Sequence, residues 1–215
     1  MTGSALSRSA AQSAVPGWRL LLGALHLHVD LDTFPAALDF VTRVGKLALP
    51  YSEPPSIDIR GSRVHLALTT PSLGGVTERD VLLANEISAL LVYLGHVPDH
   101  GRLTAVEIAV DALDRTAVAP FWAAVLGYVA DGEAALADPS RLLPGVWFQQ
   151  MDEPRPQRNR LHLDVTVPHD EAPRRVAAAL AAGGRLVSDD AAPAFWVLAD
   201  AEGNEACVST WQGRD

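Results

Sequence analysis

The sequence predicts an α+β protein of two domains, and three observations support this fold class. Some short runs alternate apolar with polar residues, as strands do. Other runs repeat apolar residues every three or four positions, as helices do. A strand, helix and further strands then occur twice in the second half of the chain. The 215 residues, 48% of them hydrophobic, suffice for one large or two compact domains.

Composition limits the classes of partner and compartment. The formal charge of −9 would repel a nucleic acid backbone, so we expect no nucleic acid partner. The single cysteine, Cys207, excludes an intrachain disulfide and a zinc site made of several thiolates. No apolar run approaches the length needed to span a membrane, and no export leader is apparent. We therefore expect a cytoplasmic protein with no membrane partner.

The first predicted domain begins after a small polar segment, residues 1–17, which we expect to be a flexible or weakly helical N-terminal arm. The alternating run Ala24–Asp30 predicts a strand with one apolar and one polar face. His26 and His28 share the polar face. They could bind a metal with a third ligand from elsewhere, or simply be ordinary residues of an exposed strand face.

The next elements follow from helical spacing and turn residues. Asp32 or Thr33 can cap a helix that ends before Pro50, and Pro50–Pro55 predicts an extended loop. Residues 64–69 predict a strand, and Thr77 with Asp80 resembles a capping box that opens a helix ending at Gly95. The turn-rich segment 96–102 suggests a boundary between domains at 18–97 and 98–215.

The second predicted domain contains a repeat. In the first copy, a strand near Glu107 is followed by a helix over 115–126 that ends at Gly127. In the second, a strand near His162 is followed by a helix over 171–182 that ends at Gly183. Glu107 to Gly127 is 20 positions and His162 to Gly183 is 21 positions. Because the two spacings are nearly equal, Glu107 and His162 occupy equivalent positions in the two copies of the repeat. Short apolar runs typical of strands follow each helix.

The second domain resembles the vicinal oxygen chelate superfamily, the glyoxalase and bleomycin-resistance fold. The resemblance rests on Phe121-Trp122, on Leu126-Gly127-Tyr128, on the segment 159–164 and on the segment 200–205. It implies paired βαβββ modules that form a curved sheet around a pocket with up to four metal ligands. At the four positions that hold the metal ligands in that superfamily, this chain has Glu107, Gln149, His162 and Cys207.

The chemistry of these residues modifies what the resemblance implies. Glu107 and His162 are acceptable ligands for Zn, Mn, Ni or Fe, whereas Gln149 is a weak neutral donor. Cys207 stands where a carboxylate is usual, and Glu205 should project to the same side of its strand. The predicted metal set is therefore Glu107, His162 and Glu205. The alternative is that these positions line a metal-free ligand pocket together with the aromatic residues Trp122 and Trp147.

The first domain resembles the pterin-4a-carbinolamine dehydratases. The resemblance rests on the segments 34–47, 64–70 and 74–80. It implies dehydration of a 4a-hydroxytetrahydropterin by a His-His-Pro motif and a third histidine. Here those places hold Glu53-Pro54-Pro55 and Thr70-Pro71, so the histidines are missing. The degenerate site consists of Glu53, His65 and Asp80.

Together the two domains predict a glyoxalase-like small-molecule-binding protein or enzyme of the lyase or isomerase type. Glu107 and His162 are its expected catalytic residues, with one divalent metal as cofactor if any. One alternative is pterin dehydratase activity in the first domain. Another is ligand sequestration without chemistry, as in resistance proteins. Both resemblances imply a homodimer.

Overall fold

A computed structural model describes residues 4–154 and 161–213 of the chain. The chain divides into two compact units, residues 1–105 and 106–215, each of which mixes helices and sheets. The predicted α+β class is therefore confirmed. The helices are α1 (Arg8–Ala14), α2 (Phe34–Ala48), α3 (Glu78–Leu94), α4 (Arg115–Leu126) and α5 (Ala172–Ala181). In the described part of the chain no helix is long and apolar enough to cross a membrane.

The first unit is an antiparallel sheet with helices on one face. Its strands are β1 (Arg19–Leu21), β2 (Ala24–Asp30), β3 (Ser56–Arg60) and β4 (Arg63–Leu68), in the spatial order β1-β2-β4-β3. Alternate residues of the two central strands are buried against α2 and α3, namely Leu25, Leu27, Val29, Val64, Leu66 and Leu68. The period of two therefore turns the residues between them, including three histidines, to the opposite face.

Local signals at the helix ends explain where α2 and α3 begin and end. The Thr33 side chain caps α2 by accepting a hydrogen bond from the backbone N–H of Ala36 at 3.2 Å. Thr77 and Asp80 form the predicted capping box at the start of α3. Gly95 ends α3 with a φ of 77°, a conformation that favours glycine.

The N-terminal segment, expected to be a loose or weakly helical arm, contains a helix that packs on the first unit. Residues 8–14 form α1, and Ala11 and Val15 join the core of the first unit. The Gln12 side chain donates to the carbonyl of Trp18 and accepts from the backbone N–H of Leu20, both at 2.9 Å. The small residues that suggested disorder allow α1 to pack closely on the unit.

The first unit also extends beyond residue 97. The backbone N–H of Asp99 donates to the carbonyl of His28 at 2.8 Å, and the His100 ring lies 2.8 Å from an Arg19 nitrogen. These bonds hold the turn-rich segment 96–102 against β1 and β2. The segment predicted as a domain boundary therefore belongs to the first unit.

The second unit contains two copies of a βαβββ module. The first comprises β5 (Glu107–Ala112), α4, β6 (Val129–Ala130), β7 (Ala135–Ala137) and β8 (Gly145–Gln150). The second comprises β9 (Leu163–Thr166), α5, β10 (Arg185–Ser188), β11 (Phe195–Ala199) and β12 (Glu205–Ser209). The sheet orders β5-β8-β7-β6 and β9-β12-β11-β10 are equivalent, and in both the first strand pairs in parallel with the last. The predicted repeat is thus confirmed.

Both modules share one hydrophobic core. The core includes buried residues of α4 and α5 together with alternate residues of β5, β8 and β12. A buried hydrogen bond of 3.0 Å from the Trp122 indole N–H to the Asp200 carboxylate joins α4 of the first module to the turn between β11 and β12 of the second. Asp200 also accepts from the backbone N–H groups of Glu202 and Asn204, so the same carboxylate shapes that turn.

Candidate functional site

The faces of the second unit's sheets that lie away from its core carry the polar residues. On β9, Leu163 and Val165 pack on the core while Asp164 points the other way. On β12, Ala206 and Val208 belong to the core, whereas Cys207 does not. Strand alternation therefore selects Asp164 and Cys207 for the face opposite the helices.

Three donor groups meet on this face. Cys207 on β12 is directly paired with Asp164 on β9, and His162 precedes β9 by one residue. His162 Nε2 lies 3.5 Å from Asp164 Oδ1, and one ligand atom each of His162, Asp164 and Cys207 lies within 4.8 Å of the others. Cys207 is buried, while His162 and Asp164 are exposed. The sulfur of Cys207 is thus buried, while the donor atoms of His162 and Asp164 belong to exposed residues.

The donor set fits a divalent metal of the zinc type. Zinc accepts imidazole nitrogen, thiolate sulfur and carboxylate oxygen, and three protein ligands leave a fourth position for a ligand. The thiolate disfavours magnesium, calcium and manganese, which prefer oxygen ligands. The residues present could therefore hold one such ion with an open coordination position.

The other predicted ligands lie outside this group. Glu107 is exposed at the start of β5, opposite Gly145, and Glu205 is half-buried at the start of β12. Gln149 is exposed on β8 beside Asp111. Among residues 4–154 and 161–213, the three-donor group contains His162, Asp164 and Cys207 alone.

The strand registers show why the two modules differ. In the second module Leu163 pairs with Ala206 and Asp164 with Cys207, while in the first Ile108 pairs with Val146 and Ala109 with Trp147. Ala109 and Trp147 are therefore equivalent to Asp164 and Cys207. The residue of the first module that is equivalent to Cys207 is therefore Trp147, not Gln149. Only the second module has a pair of donor residues, Asp164 and Cys207, at these positions.

The two tryptophans predicted to line a pocket have different surroundings. Trp122 is 3% exposed, its indole N–H is bonded to Asp200 and its ring packs edge-on against Phe121. Trp147 is 37% exposed on the polar face of β8. Trp147 is thus available to a ligand, whereas Trp122 is a core residue.

In the first unit the degenerate dehydratase position forms a narrow groove. Glu53 from the proline-rich loop and Asp80 from α3 line it together with Tyr51, Thr70 and Arg79. The cavity between them is about 10 Å³, which is room for about one water molecule. A bicyclic pterin requires these side chains to move.

The titratable groups of this groove are occupied by structural bonds. Asp80 Oδ2 accepts from the Thr77 backbone N–H at 2.7 Å, from the Thr70 hydroxyl at 2.8 Å and from the Thr77 hydroxyl at 2.9 Å, all buried. Glu53 accepts a short hydrogen bond from the Ser72 hydroxyl. Burial raises the pKa of Tyr51, with the Glu86 carboxylate acting in the same direction.

His65 does not join Glu53 and Asp80. It alternates with the buried Val64 and Leu66 on β4, so it lies on the outer face of the sheet. There it lines a separate depression with His26 and His28. The sequence suggested a histidine near the lost dehydratase site, but the strand period places it on the other face.

One ligand-type residue was missed from the sequence. Asp164 follows His162 by two positions at the edge of a strand, which is the spacing that puts two side chains on one face. That spacing could have identified Asp164. Asn159 and Arg160, which contributed to the resemblance, lie outside the described residues.

The fold and these sites define a protein with an antiparallel sheet under two helices, followed by paired βαβββ modules. Residues 3–90 match the family model described as pterin 4 alpha carbinolamine dehydratase, and residues 107–209 match the model described as glyoxalase-like domain. A Mycolicibacterium smegmatis protein named "Putative pterin-4-alpha-carbinolamine dehydratase" is 43% identical over 82 residues, which are 38% of this chain and 87% of that protein. The chain belongs to the pterin-4a-carbinolamine dehydratase family through its first unit, and its second unit is a glyoxalase-like domain.

Solved structures resemble each part separately. A transcriptional coactivator/pterin dehydratase from Brucella melitensis is 26% identical, covers 40% of this chain and 98% of its own, and has a TM-score of 0.38. A glyoxalase/bleomycin resistance protein from Albidiferax ferrireducens is 19% identical, covers 48% of this chain and 95% of its own, and has a TM-score of 0.39.

Proposed function

We propose that the second unit binds a small organic ligand at its polar sheet face and acts on it with one divalent metal. The observation that supports this proposal is the meeting of His162, Asp164 and Cys207 within 4.8 Å on the face away from the core. Trp147, partly exposed on the polar face of β8, offers an apolar surface for such a ligand.

The proposed roles follow from the donor atoms. His162, Asp164 and Cys207 would hold the ion, which when bound polarises a carbonyl or hydroxyl oxygen as a Lewis acid. Glu107, in the place equivalent to His162 in the other module, is proposed to accept and return a proton during isomerisation or elimination. The thiolate makes zinc, nickel or iron better candidates than manganese.

Metal content tests this proposal. In protein purified without chelator, C207A and H162A should each contain about one equivalent of metal per chain less than the wild type. The matched control is H169Q, which changes a histidine of the same unit bonded instead to the Trp211 indole. E107A should retain the metal and lose turnover if Glu107 transfers the proton. Equal metal in the wild type, C207A and H162A would overturn the proposal.

A ligand-sequestering protein is the alternative for the same face. It would retain an organic ligand during native mass spectrometry yet release it unchanged. Turnover of a retained ligand, lost in E107A, distinguishes the enzyme from the sequestering protein.

For the first unit we propose that the dehydratase scaffold has lost its catalysis. Pro54 and Pro71 offer neither a titratable group nor a backbone N–H, and the groove has room for about one water. General acid and base catalysis supplies about 10²- to 10⁴-fold per group, so little rate should remain. The test is turnover of a 4a-hydroxytetrahydropterin by the full chain. A rate above the spontaneous one, reduced in E53Q, would restore dehydratase as the function.

We propose a cytoplasmic homodimer as the working form. Supporting it are exposed apolar residues at and beyond the end of α3, Val92, Tyr93 and Val97, which are 77–80% exposed. Light scattering at micromolar concentration should give twice the chain mass. A monomer would contradict this proposal.

A further inference from the structure

Three histidines lie together on the outer face of the first unit's sheet, away from the degenerate dehydratase groove. His26 and His28 are two positions apart on β2, and His65 on β4 is directly opposite His28. All three line a depression of about 480 Å³. The strand period and the antiparallel register therefore bring three imidazoles to one surface.

Two of the rings already stand at the spacing of metal ligands. His26 Nδ1 lies 3.0 Å from His65 Nε2, and the rings are nearly parallel, at 11°, with centroids 5.2 Å apart. Because the nitrogens are much closer than the centroids, the rings meet edge to edge. In a tetrahedral zinc site two nitrogens at about 2.0–2.1 Å from the metal are about 3.3 Å apart. A small separation of the rings would admit the ion.

The third ring has an unused nitrogen. His28 Nε2 is buried and has no hydrogen-bond partner, a costly state for a polar atom. Burial is the main cause that lowers the pKa of each of the three histidines. His28 pairs directly with His65 across the two strands and is therefore the third imidazole of this surface.

Acidic neighbours offset part of the positive charge around the rings. On the neighbouring elements Arg60 is bonded to Asp58 at 3.0 Å and Arg102 to Asp99 at 3.2 Å. Arg63 is cross-strand neighbour to Asp30, and Arg19 lies against His100. Since most of these cations have acidic neighbours, their repulsion of a divalent ion is reduced. The imidazole lone pairs are then the ligands that this surface offers.

We propose that His26, His28 and His65 form a second divalent-metal site of the zinc type, on the sheet face of the first unit. The ion lies between His26 Nδ1 and His65 Nε2, and the proton that now links these atoms moves to the far nitrogen of its ring. His28 is the third ligand, and the fourth position is open to water or to an anionic group. The site is independent of the thiolate-containing group in the second unit.

Zinc titration of the full chain tests the site. In a C207A background, which removes the other group's thiolate, the chain should still bind one Zn²⁺. H65Q and H28Q should each weaken that binding by more than about 100-fold, since loss of even an outer partner of a ligand costs about 10- to 100-fold. The control is H96Q, a histidine of the same unit outside the depression. Binding in H65Q and H28Q equal to that in H96Q would overturn the proposal.

A second measurement needs no variant. Zn²⁺ should protect His26, His28 and His65 of the wild-type chain from diethylpyrocarbonate, while His96 stays reactive, as peptide mass spectrometry would show. Cobalt adds a further distinction, since only the site containing Cys207 can give a sulfur-to-metal charge-transfer band. Modification of the three histidines at the same rate with and without Zn²⁺ would contradict the site.

Discussion

Asp80, which we predicted to belong to the degenerate dehydratase site, forms structural hydrogen bonds in the first unit. Its carboxylate accepts hydrogen bonds from the backbone N–H and hydroxyl of Thr77 and from the hydroxyl of Thr70, and it is 4% exposed. One oxygen thus closes the 70–77 loop onto the start of α3. These three hydrogen bonds give the carboxylate a structural role in the first unit.

Removing that carboxylate should destabilise the first unit. We expect D80A to lower the free energy of unfolding by about 2–3 kcal/mol, because it removes a helix cap and leaves buried hydroxyl groups with fewer partners. Denaturant unfolding followed by circular dichroism measures this loss. E78A, an exposed first-turn carboxylate of the same helix, should cost less than about 1 kcal/mol. Equal losses in the two variants would disprove the structural role of Asp80.

The histidine cluster should make the stability of the first unit depend on pH. Burial lowers the pKa values of His26 and His65 below 6.5, and each ring is further lowered by a neighbouring histidine. The unfolded chain therefore binds protons near pH 6.5 that the folded chain resists. Stability should be complete above about pH 7.5 and fall as the pH drops below 6.5.

The comparison that isolates this effect uses the double variant H26Q/H65Q. Its loss of stability between about pH 7.5 and about pH 5.5 should be smaller than that of the wild type, measured by urea unfolding without metal. H96Q should behave as the wild type. A steeper loss in the double variant would contradict the lowered pKa values.

At the scale of elements, the sequence predicted best those elements that carry several signals at once. Helix α3 has a capping box, a regular apolar stripe and a terminal glycine, and its observed bounds, Glu78–Leu94, follow these signals. Strands β6 and β10 were not anticipated. β6 has two residues, and β10 has no buried residue, so neither has the alternation by which a strand is recognised.

The contact between α4 and the turn after α5 gives an element-scale prediction. A Cβ added at Gly184 would lie 2.3 Å from Phe121 Cδ2 and 2.8 Å from the Ala179 carbonyl oxygen. Phe121 is fully buried, so its ring cannot give way without disturbing the core. G184A should therefore cost about 1–3 kcal/mol and lower the melting temperature of the second unit. In G145A the added atom meets only an ordinary contact at 3.7 Å, and little change is expected.

At the scale of the whole molecule, the repeat and the resemblances predicted the two folds, but the candidate sites needed strand pairing. His162 was a predicted ligand and Cys207 a residue of the predicted pocket. Asp164 joined them only because β9 pairs with β12 in a register that sets it beside Cys207. Likewise His65 lies 39 positions from His26 and meets it through the β2–β4 register. Registers between distant strands depend on tertiary packing, which a single sequence does not display.

The two proposed metal sites make a joint prediction for the complete chain. Because their ligands belong to different units, ion binding at one should be unaffected by loss of the other. Native mass spectrometry of zinc-loaded protein should show two ions per chain in the wild type, one in C207A, one in H65Q and none in C207A/H65Q. If the wild type binds one ion that persists in H65Q but is lost in C207A, only the site in the glyoxalase-like unit binds metal. If that single ion instead persists in C207A but is lost in H65Q, only the histidine site binds metal. The failure of one proposal is therefore distinguishable from the failure of the other.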